Sequence, residues 1–288
     1  MRLLKILPNR DFCLTERLPD NAILQYAILS HTWGDEGQEV TFEDMDKGSG
    51  RDKAGYEKLR FCGEQARLDG LEYFWVDTCC INKKDMAELS HAIRSMFRWY
   101  RNAARCYVYL SDVSTNKRRR GDRGTRETWE HAFRESKWFT RGWTLQELLA
   151  PSSVEFFSQQ RKRLGDKKSM AQQIHEITGI PKSAFQGAPL TRFKRKERFS
   201  WMNHRQTKLE EDKAYSLLGV FDVDMHLRYG EGIASAFKRL DEEIDKVEKC
   251  IQELRPTDPH DDKKRIEDTK GGLLEDSFVP LGPGELRV

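Results

Sequence analysis

The chain has 288 residues, 38% hydrophobic and 34% charged, enough for one large soluble domain with an annex. Its 50 basic and 47 acidic residues leave a net charge of +3, so it carries no general field for nucleic acid or an anionic membrane. No apolar run is long enough to span a bilayer, Pro8 interrupts an N-terminal stretch too short for a signal peptide, and the six cysteines include no CxxC pair for zinc.

Residues 2–6 predict a short strand. Residues 26–30, Tyr-Ala-Ile-Leu-Ser, are an apolar run with polar flanks and predict a buried strand. It stops at His31, Thr32, Trp33 and Gly34. Tyr56, Leu59, Cys62 and Ala66 then recur at helical spacing, and Asp69-Gly70 makes a turn. Residues 73–77 predict the second principal strand. A strongly amphipathic helix follows over 85–104, and residues 106–111 give the third strand. Residues 114–136 are a charged excursion, expected as a loop or surface helix.

Residues 137–150, KWFTRGWTLQELLA, predict an entry loop and a helix. Leu145, Leu148 and Leu149 form its inward stripe. Trp143 and Glu147, four apart, share the opposite face, which either meets solvent or walls a cleft. Pro151 ends the helix and residues 154–157 give the fourth strand. Beyond Ser158 the pattern is helical, at 169–178, 209–218 and 231–254. Strands alternating with helices predict an α/β fold with a parallel open sheet flanked by helices. The expected organisation is a core at 1–168, a helical annex at 169–254 and a linker or tail at 255–288. Free thiols without an export signal predict a cytoplasmic setting.

Ligands of open parallel sheets bind at the carboxyl ends of the strands. That edge gathers His31, Trp33 and Gly34, then Asp77, then Trp143 and Glu147. No GxGxxG, GxxxxGK[ST] or GxSxG motif is present, which disfavours dinucleotide-fold, P-loop and α/β-hydrolase chemistry. Cys79 and Cys80 read as core thiols, although a Cys–His pairing with His31 stays open. Glu88 reads as a solvated carboxylate at a helix start. The basic runs at 117–120, 161–163 and 192–198 read as solvated loops.

The blocks YAILSHTWG (26–34), FWVDTCCIN (74–82), WFTRGWTLQELLAP (138–151) and EDKAYSLLGVFDVDMHLRYGEG (211–232) together resemble the fungal heterokaryon incompatibility (HET) domain. The segment DDKKRIEDTKGGLLEDS (261–277) resembles the joint before a NACHT nucleotide-binding domain in fungal NACHT–WD-repeat receptors. The resemblance implies a cell-death effector controlled by clustering, with downstream receptor domains as partners. HET domains are similar to TIR domains, which implies a flavodoxin/TIR-like sheet and cleavage of NAD+ as substrate, with no metal or further cofactor. In that analogy Glu147 is catalytic. His31, Trp33, Gly34, Asp77, Arg141 and Trp143 bind the ligand. The alternative is a non-enzymatic oligomerisation module in which Trp143 anchors an interface.

Overall fold

The computed structural model describes residues 1–19, 24–35, 37–115 and 129–254. The basic run at 117–120 and the receptor-like joint at 261–277 lie outside the described residues. Met1–Glu243 forms one compact unit, and Ile244–Val288 is assigned to a second.

The described residues build a seven-stranded sheet: β1 (Leu4–Ile6), β2 (Phe12–Leu14), β3 (Tyr26–His31), β4 (Tyr73–Trp75), β5 (Arg105–Tyr109), β6 (Val154–Phe157) and β7 (Arg163–Asp166). The order is β2-β1-β4-β3-β5-β6-β7. The four central strands are parallel, as their apolar runs predict. The outer pairings are antiparallel, so the sheet is mixed rather than purely parallel. At each margin a tight reversal takes one residue into the left-handed region, Arg10 (φ 65) and Arg161 (φ 63).

The helices are α1 (Phe42–Asp46), α2 (Tyr56–Leu68), α3 (Met86–Asn102), α4 (Trp129–Arg134), α5 (Thr144–Leu149), α6 (Ala171–Thr178), α7 (Lys182–Phe185), α8 (Arg195–Ser200), α9 (Asp212–Tyr215), α10 (Leu218–Phe221) and α11 (Ile233–Leu254). Strand periodicity divides them between the two faces of the sheet. Phe61 of α2 meets Tyr107, Tyr109 and Phe157, whereas Cys106, one residue away, has its thiol against the Glu147 carbonyl of α5. Trp75 is in register with Ile28 and packs edge-on against Trp99 and Tyr100 of α3. Both faces of β3 are therefore covered, and all six of its residues are buried, His31 included.

Within the first unit α7 packs on α5, and α10 packs on α3. Two other contacts bring the segment after the sheet onto the α5 region. Gly142 N–H donates to Gln206 O at 2.8 Å, and Gln206 N–H donates to Thr140 O at 2.6 Å.

Two sequence expectations are overturned. Glu88 is buried: it accepts from Arg2 and from the Asn82 N–H at 3.0 Å, so it ties the N-terminal strand to the start of α3. The basic run at 192–198 is not a solvated loop throughout. Arg198 is buried in α8, with Nη1 on Val220 O at 3.1 Å and its guanidinium over Phe221.

Candidate functional site at the carboxyl edge of β3

Glu147 sits on a helix of only six residues, and every one of them is buried. A helical wheel assigns an outer face only when a helix has one packing partner. Here β3, α3 and α7 all pack on α5, so the face opposite the leucines is closed as well. The carboxylate Oε2 accepts a hydrogen bond from Ser30 Oγ of β3, and Ser30 Oγ in turn accepts from Trp138 Nε1 at 2.8 Å. The Tyr100 hydroxyl, donating to Leu29 O at 3.1 Å, stands beside the same carboxylate. Burial pushes the Glu147 pKa up to about 8. The Ser30 hydrogen bond opposes this, the nearby Asp77 charge reinforces it, and Arg141 and Tyr100 pull it down.

Trp143 does not share a cleft wall with Glu147. It is the residue before α5, and its indole N–H points to α9, donating to Asp212 Oδ2 at 3.1 Å. Asp212 also accepts from Tyr229 at 2.9 Å, so Trp143 belongs to a polar junction with the later helices. Burial raises the Asp212 pKa against those two hydrogen bonds.

The other predicted residues do come together. His31 is buried, with Nδ1 3.9 Å from Asp77 Oδ1 and Nε2 3.7 Å from Glu39 Oε2. Asp77 accepts from Trp33 Nε1 at 2.8 Å, which fixes an indole that is 40% exposed. The Lys83 ammonium lies 3.9 Å from the centroid of that ring and the Arg141 guanidinium 5.8 Å. Gly34 N–H donates to Glu39 Oε1 at 2.6 Å, and Lys58 Nζ holds both Glu39 and the Thr32 carbonyl, the latter at 3.0 Å. Burial would raise the Glu39 pKa, but His31 and Lys58 outweigh it and hold this carboxyl well below its ordinary range. The result is a pinned loop that presents an exposed, cation-flanked indole held by Asp77.

Arg141 reaches this edge because residues 140–142 are fastened to Gln206. A Cβ at Gly142 would lie 2.3 Å from Thr207 Cγ2, so this close approach requires glycine. Sequence reasoning missed Ser30, Glu39, Lys58, Lys83, Tyr100 and Trp138, which come from six different segments with no shared spacing. Cys79 and Cys80 are buried, and burial, with Cys80 beside it, raises the Cys79 pKa, which disfavours a thiolate at that residue. Among the described residues no group of three or more acidic, His or Cys side chains is arranged to hold a metal ion. No described helix is long and apolar enough to cross a membrane.

The polar edge and the strand that carries it coincide with a known family. Residues 26–147, from the first residue of β3 to Glu147 itself, match the model described as heterokaryon incompatibility protein (HET), and the chain carries that domain. It is also 54% identical over 278 residues to vegetative incompatibility protein HET-E-1 of Podospora anserina. That match covers 96% of this chain and 20% of the relative, so the chain spans about a fifth of that protein's length. No solved structure gives a significant match.

Proposed function

We propose that the chain is the effector module of a fungal nonself-recognition protein, and that it cleaves NAD+ to nicotinamide and an ADP-ribose product when copies are clustered. The observation that carries this reading is Glu147: a buried acid with a raised pKa, hydrogen-bonded by Ser30 one residue before the carboxyl end of the central strand. Raised carboxyl pKa values next to a specific charge partner cluster at functional sites. In the reaction the bond between the ribosyl C1′ and the nicotinamide nitrogen breaks. Its electron pair neutralises the pyridinium, water adds to C1′ and a proton is released. Nicotinamide leaves without protonation, so one acid is sufficient. A pyridinium or ribosyl cation beside Glu147 favours its carboxylate form, and the ionised group then stabilises the charge that develops at C1′.

Trp33 offers a stacking surface for a flat base, with Lys83 and Arg141 placed for phosphate oxygens. His31, Asp77, Gly34 and Glu39 hold that surface rather than meet the ligand directly. Trp143 takes a positioning role through Asp212.

The test is nicotinamide release from NAD+ by artificially clustered protein, for the wild type and for Glu147→Gln. Loss of one preorganised electrostatic group is expected to lower the rate by about 10²–10³. Release at the wild-type rate by the variant overturns the assignment. One observation favours a second reading, a non-enzymatic death-signalling module: the Glu147 carboxyl is buried in the core, hydrogen-bonded by Ser30 with Tyr100 beside it. Under that reading Glu147→Gln, once folded, still kills cells, and neither protein releases nicotinamide.

A further inference from the structure

The cations around Trp33 are not all neutralised. Lys58 pairs with Glu39, and Lys84 pairs with Glu43 at 2.9 Å. Among the described residues no carboxylate forms an ion pair with Lys83 or with Arg141. Both charges instead stand at one indole, 3.9 Å and 5.8 Å from its centroid. Burial raises the Glu147 pKa and the Arg141 charge opposes it, so Arg141 is felt both at the indole and at the buried carboxyl.

The indole itself is a fixed surface. Its N–H is held by Asp77 at 2.8 Å, its loop is tied down through Gly34 and Glu39, and 40% of the residue is exposed. A rigid, exposed tryptophan stacks any base, because every base has a π face. The two halves of NAD+ both carry a phosphate and differ in the charge on the ring: adenine is neutral and the nicotinamide of the dinucleotide is a cation. The electron-rich face of an indole attracts a pyridinium, but two unit positive charges repel it at these distances, and the direct repulsion is the larger effect. A neutral base meets no such penalty.

We propose that Trp33, Lys83 and Arg141 form the subsite for the adenylate half of the dinucleotide, an anionic nucleotide with an uncharged base, and exclude the cationic half. The proposal rests on the NAD+ reading only for the identity of the second half. The Lys83 ammonium occupies the place on the ring that a base takes. Its stem is flexible, the side chain is half-buried and no carboxylate holds it, so a base displaces it and the ammonium then meets the phosphate. The Asp77 carboxylate opposes an anion, but it is engaged by the indole N–H at the edge of the ring.

The experiment is a titration of the ¹⁵N-labelled full chain with AMP, with nicotinamide mononucleotide and with adenosine. The readout is the Trp33 indole N–H resonance, identified by its loss in Trp33→Phe. Saturable movement with AMP at a Kd tighter than about 10 mM is expected. Adenosine, which lacks the phosphate, and nicotinamide mononucleotide, which carries the cation, should each bind about tenfold more weakly. Lys83→Met keeps the stem and removes the charge, and it should weaken AMP about tenfold. No saturable shift with AMP overturns the proposal, as does equal affinity for the two mononucleotides or an unchanged AMP Kd in Lys83→Met. Binding is read without turnover. AMP binding by a chain that releases no nicotinamide would therefore overturn the proposed reaction and support this subsite, and nicotinamide release without AMP binding would overturn the subsite alone.

Discussion

Replacing Glu147 with Gln removes a proton-binding group and keeps an acceptor for Ser30, so the variant isolates the cost of ionising a buried acid. The folded pKa of about 8 is raised above the ordinary value of 4.5. The folded state therefore holds its proton where the unfolded state has lost it. The contribution is fully present below pH 4.5 and is lost as pH rises through 8. Wild-type protein is expected to lose stability on the order of a few kcal/mol across that window, and Glu147→Gln should lose much less. Urea midpoints at pH 5 and pH 9 measure this, and equal pH dependence in the two proteins would remove the raised acid from the account. Ser30→Ala strips the carboxyl of its donor and Trp138 Nε1 of its acceptor. Two buried groups go unmade, so it should cost about 2–4 kcal/mol in the same assay. A loss within about 0.5 kcal/mol, typical of surface changes, would show that other partners take over.

Element by element, the parts that the sequence made legible are those whose environment is symmetrical or one-sided. Strands β3 to β6 are apolar runs because both faces of the sheet are covered, and α3 has a clear stripe because one of its faces meets the core. Strands β2 and β7 escaped because they are three and four residues long, and β7 is Arg-Leu-Gly-Asp, with no apolar signature. Glu147 reads as facing solvent or a cleft, and Glu88 as solvated, because no nearby residue in the sequence supplies a buried partner for either. Their partners, Ser30 and Arg2, lie 117 and 86 residues away. Trp143 was read as a neighbour of Glu147 because four residues make one helical turn, yet it precedes the helix and turns to Asp212. The packing of α10 on α3 is a close one. A Cβ at Gly219 would lie 2.1 Å from Phe97 Cβ, so Gly219→Ala must drive the two helices apart. A cost of about 1–3 kcal/mol is expected from such overpacking, read as a lower melting temperature. An unchanged or raised value would show that this contact yields freely.

For the molecule as a whole, the proposed activity depends on how many copies meet. If clustering assembles the competent state through a weak interface, specific NAD+ cleavage should rise with protein concentration and rise further on forced oligomerisation, by mass action. Constant specific activity over a wide dilution series would show that a single copy is sufficient. The proposed clustering carries a hazard, since an open sheet has two free margins on which further chains can add strand by strand without limit. The seven-stranded sheet ends in short strands next to a tight reversal or a register shift. On one side stands a three-residue strand after a left-handed Arg10. On the other stands a four-residue strand with an irregular register, whose outermost side chains, Arg163 and Asp166, are charged and paired with each other at 3.0 Å. Such margins give an incoming chain too few consecutive amide groups to template a fibre. Under the proposed clustering, copies would then crowd together in a finite, reversible assembly instead of an amyloid one.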